Sequence, residues 1–383
     1  MTATAEAIRP ARRSAFREFL AGVGTIMVKE LRSRMRGRRA FIVLTIYLGL
    51  LALITYGSYL IVAPTARDNI GGGGFVNQAN TSAIVGQTIF TLLSIFQLIL
   101  ICFIAPGFTA GQISLEREKQ TLDLLVSTPM RPGAIVLGKL LAALAFVVLM
   151  IVAAVPITAI VLMYGGASVE DIVRQQLVLL ATAVALGAIG LFFSALLKRT
   201  QAATVLSYIT MLALTVGTVM LFTFWTLLIN QENGFGIGPP RRAPEQLLYV
   251  NPGIAMLDVV GNTEPGGFGG INSLLAQLRG ETTNFGGGVD CVGDVCQPVD
   301  QFGNPVNQAV ESGSGYWWPR IAITFIALAA LLTFLSTRLV VPAGMRWAFR
   351  RRPTAMVAAG PTSVGAVGDP AEPTVEDVGE MEP

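Results

Sequence analysis

"SLEREKQTLDLLVSTPMRPG", residues 114–133, packs Glu116, Arg117, Glu118, Lys119 and Asp123 into a short strip between two strongly apolar runs. The flanking runs, roughly 84–108 and 135–164, can each cross a hydrocarbon core of about 30 Å at about 1.5 Å of rise per residue. A charged strip between two such runs must lie at a membrane face. Its reading therefore orients the whole chain.

Composition agrees with a membrane setting. The 383 residues are 52% hydrophobic and only 13% charged, whereas soluble domains carry about a quarter charged residues. The apolar residues gather in six segments, roughly 41–63, 84–108, 135–164, 175–197, 202–229 and 320–341. This pattern predicts an all-α polytopic membrane protein with six transmembrane helices. The first run begins near Phe41, behind a basic segment far longer than a signal-peptide n-region, and is itself too long for an h-region, so it reads as span one. Pro156 lies inside the third run and predicts a kink or tilt there. With no histidine anywhere in the sequence, His-based catalysis, His metal ligation and a His pH switch are excluded within this chain. The net charge of +3 reflects basic residues at span ends rather than a nucleic-acid surface.

Lys and Arg near span ends set the orientation. Lys29, Arg32, Arg34, Arg36, Arg38 and Arg39 precede span one. Arg117, Lys119, Arg131 and Lys139 lie between spans two and three, Lys198 and Arg199 between four and five, and Arg346, Arg350, Arg351 and Arg352 after six. The alternate short loops hold only Arg67 and Arg174. Both termini and the 114–133 strip are expected on the cytoplasmic side of the plasma (inner) membrane. Trp225, Trp317, Trp318 and Trp347 all fall near expected interfaces, as an aromatic belt requires.

Two segments on that face have helical spacing. In residues 16–36, Phe16, Leu20, Val23, Met27, Leu31 and Met35 form one apolar stripe, read as an amphipathic helix in the interface or simply as a basic anchor. In the strip, Leu115, Leu122, Leu125 and Val126 form a second stripe, and Glu116 and Glu118 suit the first turn of a helix that Pro129 ends near Thr128. Such a helix is either a handle for a soluble partner or a solvated loop. Lys139 is expected to snorkel to the headgroups.

The pattern over 115–144, with Glu116, Arg117, Glu118, Lys119, Thr121, Leu122, Leu124, Leu125, Ser127, Thr128, Pro129, Gly138 and Lys139, resembles that between the second and third helices of ABC-2-type transporter permeases. "VKELRSRMRGRRAF", 28–41, resembles that family's connecting helix, and "YVNPGIAMLDVV", 249–260, an Asn-Pro segment some members carry. The resemblance implies the membrane subunit of an exporter, driven by ATP hydrolysis on a separate subunit. It implies that Glu116, Arg117, Glu118, Lys119, Thr121, Leu122 and Leu125 couple to that ATPase. It also implies a dimer with a second permease copy or a homologous permease. ATP and Mg would sit on the partner, with no cofactor or metal on this chain, which is no enzyme itself.

The remaining motifs are weaker. "GAIVLGKL", 133–140, matches G-x-x-x-x-G-K but lacks the final Ser/Thr and a preceding strand, so it is not read as a phosphate loop. The spans carry no charged residue away from their ends, which disfavours an ion-coupled transporter. Gln87 and Gln97 in span two are either helix-packing polar groups or pathway residues. Small residues such as Gly187 and Gly190 suit close packing in span four. The chain divides into a cytoplasmic 1–40, spans one to five over 41–230 with the coupling segment 112–133, an extracytoplasmic loop 231–318, span six at 319–342, and a basic then disordered tail 343–383. The loop carries helical patterns near 244–260 and 271–279, the first apolar enough to dip into the outer leaflet. Cys291 and Cys296 in that loop are either a local disulfide or free thiols; Cys102 in span two is expected buried. A non-transporting scaffold or sensor that binds a partner through the outer loop is the alternative to transport. Besides the ATPase and a second permease, membrane lipid is the expected partner, and nucleic acid is not. Nothing in the sequence selects a substrate.

Overall fold

Backbone in hydrocarbon must satisfy its own N–H and C=O groups, so long apolar runs fold as helices. A computed structural model of the protein describes residues 15–35, 38–68, 78–121, 132–232, 244–261, 289–292, 295–298 and 317–340. All of these lie in one unit, Met1–Val341; a second unit, Pro342–Pro383, falls outside the described residues. Six helical stretches are long and apolar enough to cross a membrane: Ala40–Pro64, Ser82–Glu118, Pro132–Met163, Val169–Leu196, Thr200–Ile229 and Trp317–Val340. The expected all-helical, six-span class is the observed one, and the chain is a multi-pass membrane protein.

The helices are α1 (Ala15–Met35), α2 (Arg38–Asp68), α3 (Gln78–Thr109), α4 (Ser114–Glu118), α5 (Pro132–Ile160), α6 (Val169–Leu196), α7 (Thr200–Leu212), α8 (Thr218–Glu232), α9 (Pro252–Gly261) and α10 (Trp317–Val340). Between α7 and α8 span five passes through a π turn, Ala213–Gly217, which the sequence did not announce. Pro156 sits within α5, which continues to Ile160 and then tightens into a 3₁₀ turn, Val161–Met163. A hairpin, β1 (Val289–Val292) and β2 (Val295–Pro298), sits between spans five and six, with Cys291 opposite Cys296 in its register. The 271–279 pattern and the 343–383 tail fall outside the described residues.

Span four, α6, is the most enclosed; spans one and five are the least. Small residues on α6 let its neighbours close in. A Cβ at Gly187 would come 2.9 Å from Leu144 Cδ2. At Gly190 it would come 2.2 Å from Thr109 Oγ1 and 3.2 Å from the Ala110 nitrogen. Gly190 is therefore where the end of α3 rests on α6, and this contact fixes the point from which α4 departs. The start of α6 is closed by a capping box in which Ser168 and Asp171 exchange side-chain-to-backbone hydrogen bonds.

Helix α1 packs along α5. Its buried strip is Val23 and Ile26, while Leu20, placed on the apolar stripe by sequence, is exposed. The periodicity was right but the protein-facing side is rotated from the expected one, because α1 approaches α5 where Gly138 leaves room. A Cβ on Gly138 would stand 2.9 Å from Ile26 Cβ.

The segment between spans five and six returns into the bundle. A 3₁₀ turn, Glu245–Val250, leads to α9, which contacts α3, α6 and α10 and buries Ile254, Ala255, Met256, Val259 and Val260. Polar backbone at this depth is tolerated because protein surrounds it. Pro252 takes the first helical position, where no N–H is needed. Asp258 Oδ2 accepts the N–H groups of Trp317, at 2.8 Å, and Trp318, at 2.9 Å, and so caps span six.

Gly190→Ala should destabilise the protein by about 1–3 kcal/mol through overpacking against Thr109 and Ala110. Gly49→Ala, with nothing within 4 Å of the new Cβ, should instead gain up to about 1 kcal/mol of helix propensity. Thermal unfolding of the two variants in one detergent checks this opposite pair of signs.

Candidate functional site

The chain leaves α3 at Thr109, turns through 110–113 and forms the five-residue helix α4. A helix this short cannot hold itself, so its ends are held from outside. Ser194 Oγ accepts the backbone N–H groups of Ile113, at 2.9 Å, and Ser114, at 3.0 Å. Both serines are fully buried. The C-terminal end closes in a Schellman arrangement: Thr121 N donates to the Glu116 carbonyl at 2.9 Å, and Gln120 N to that of Arg117 at 3.1 Å. Gln120 takes φ 56° to do so, a position usually given to glycine.

That turn corrects the sequence expectation of one helix running from 114 to near 128. The helix stops at Glu118, because the reversal at Gln120 satisfies the last carbonyls and redirects the chain. Leu122 and Leu125 lie outside the described residues.

The expected coupling residues divide into two groups. Glu116 and Arg117 face inward. Glu116 Oε1 accepts from Lys139 Nζ at 2.7 Å, and the same Nζ donates to Glu30 Oε1 on α1 at 3.3 Å. Lys139 is only 3% exposed, so it does not snorkel to headgroups as expected; two carboxylates from other elements meet it where it stands. Arg117 donates to the Ala195 carbonyl at 3.2 Å, and at 3.5 Å to that of Leu197, at the C-terminal end of α6. A cation suits that end of a helix dipole. Glu118 serves a different helix from the one expected: its Oε1 accepts the Thr200 N–H at 2.6 Å, at the start of α7. Leu115, Glu118, Lys119, Gln120 and Thr121 form the exposed side.

The Gly138–Lys139 pair now has a physical reading. Gly138 admits α1, and Lys139 then ties α1, α4 and α5 together. Residues 133–140 are the first turns of α5, so the G-x-x-x-x-G-K match is helix and not a loop.

The other polar candidates lie elsewhere. Gln97 Oε1 accepts from Gln175 Nε2 at 3.2 Å, joining spans two and four in their interior. Gln87 is buried where the Gly165–Gly166 turn, at φ +78° and +82°, presses on α3. Cys102 is buried, as expected. Sequence reasoning missed Ser194, which nothing local marks, and Glu30, which the demand of Lys139 for an acidic partner could have revealed.

A family model described as "ABC-2 family transporter protein" matches residues 25–269, more than half of the chain. The chain belongs to this family. The match opens within α1, ends beyond α9, and takes in every residue of the α4 arrangement. No curated protein matches the chain. As an ABC-2 membrane permease it has no ATPase activity of its own.

In this permease Lys139→Met should remove the shared cation and leave Glu30 and Glu116 facing each other. Breaking a buried pair costs about 3–5 kcal/mol. The two carboxylates keep 23% and 25% exposure, so the loss should be about 3 kcal/mol. Adding Glu30→Gln and Glu116→Gln should recover most of it, measured as melting temperature in detergent.

Proposed function

We propose that this permease is the membrane half of an ATP-driven exporter, and that a separate ATPase subunit docks on the exposed side of residues 115–121. One observation carries the reading: α4 is fastened to α1, α5, α6 and the start of α7, yet it and the turn that ends it present Leu115, Lys119, Gln120 and Thr121 outward. A load applied to that surface passes directly into spans three, four and five. The partner binds ATP and Mg, and its closure on nucleotide supplies the load. A second permease copy, or a homologous one, completes the path across the membrane. The asymmetry of Lys and Arg supports placing α4 and both termini in the cytoplasm.

Because Glu116 and Arg117 are committed inward, a docking test belongs on the outward residues. Leu115→Arg combined with Lys119→Glu should reduce the ATPase co-purified from gently solubilised native membranes about tenfold, a loss of about 1.4 kcal/mol, while the melting temperature holds. Undiminished recovery of the ATPase would overturn the docking surface; absence of any ATPase with the unaltered chain would overturn the transporter reading. Orientation is checked separately. With the native cysteines replaced, Thr121→Cys should react with a membrane-impermeant maleimide only after the cells are opened.

A further inference from the structure

Span five is the least enclosed span in the bundle, and among the described residues it is the one that carries a π turn, Ala213–Gly217. A π turn holds one residue more than the α-helix on either side, and such turns recur at functional sites. Entering and leaving it leaves a carbonyl short of its usual helical donor. Thr215 lies in this turn, and its carbonyl accepts Asn251 Nδ2 at 2.6 Å. The second Nδ2 hydrogen goes to Thr218 Oγ1 at 2.7 Å. Asn251 Oδ1 meanwhile accepts the N–H groups of Gly253, at 2.8 Å, and Ile254, at 3.3 Å, capping α9. Asn251 is 1% exposed. Both donors and both lone pairs of its amide are thus in use at a buried position.

The position of this contact gives it leverage. An apolar cleft of about 660 Å³ lies between α3, span five and α9. Thr215 and Val216 of the π turn and Gly253 and Met256 of α9 stand on its wall. From the other end of α9, Asp258 holds span six. Helix α9 therefore grips span five through one amide and span six through one carboxylate.

We propose that Asn251 is a positioning residue that holds span five in its π-bulged register. Release of Asn251 lets the extra residue be absorbed, so that α8 turns by one residue, about 100°, against α7. The change re-aims Thr215 and Val216, the two π-turn residues on the cleft wall. Use of this switch in an ATP-driven cycle rests on the transporter reading; the register itself does not.

The test uses the full chain with its co-purified ATPase in lipid nanodiscs, with Cys102, Cys291 and Cys296 replaced. A nitroxide is placed in turn at each position over 202–228, and its collision rate with dissolved oxygen is measured. In the resting protein the accessibility wave over 218–228 should be offset by about 100° from that over 202–212, beyond the phase of a continuous α-helix. Asn251→Ser keeps a cap for α9 but cannot reach Thr215, and should bring the two waves into phase. Deleting Val216 with Asn251 intact should do the same. ATP with vanadate should also do so in the unaltered complex. With the deletion showing that loss of the extra residue is read as two waves in phase, an offset that persists in Asn251→Ser overturns the proposal. An offset lost in these but kept in a vanadate-trapped complex that hydrolyses ATP overturns the switch. If no ATPase accompanies the chain, the transporter reading fails, and the two variants still decide whether Asn251 sets the register.

Discussion

Any interruption of a helix beside hydrocarbon frees backbone groups that no water can reach, and the protein must supply their partners. This constraint bears on several of the polar contacts described above, and the same capping recurs on the exposed side at Glu118. The break between α3 and α4 is met by Ser194, the end of α6 by Arg117, and the start of α7 by Glu118. The π turn is met by Asn251 and the start of α10 by Asp258. Each interruption draws its partner from a segment distant in sequence. The breaks are therefore also the joints of the bundle, where two or three elements are obliged to move together.

The α4 region shows this most densely. Neutral capping by Ser194 and charged ties through Lys139, Arg117 and Glu118 converge on five helical residues. An isolated surface ion pair is worth at most about 1 kcal/mol. Lys139 differs in being almost wholly enclosed and shared by two carboxylates. Its value lies less in net stability than in the penalty for separating the three elements it joins. A short helix so held is tied to its neighbours at both ends.

Much of this was legible beforehand, for identifiable reasons. Six spans follow from apolar length alone, and the family from the Glu-Arg-Glu to Gly-Lys pattern. What α4 touches was not legible. Charge spacing placed Glu116 and Glu118 together as first-turn residues, yet one serves α5 and the other α7, because a five-residue helix has room for neither to stay local. The stop at Gln120 could not be read either, since the left-handed backbone there is adopted by glutamine rather than glycine. The π turn has no local signature in "ALTVG". It depends on Asn251, some 36 residues away, and only the Asn-Pro pair hinted that something happens there.

The Asp258 contact bears on the order in which the chain is made. The carboxylate leaves the ribosome 59 residues before the first N–H it will accept. Until span six arrives, α9 presents that carboxylate beside its buried apolar residues without the two tryptophan amides that complement it. Nascent chains halted before Trp317 therefore lack the two amide donors that this carboxylate receives in the finished bundle. Completion of span six supplies them, which ties the seating of α9 to the arrival of that span.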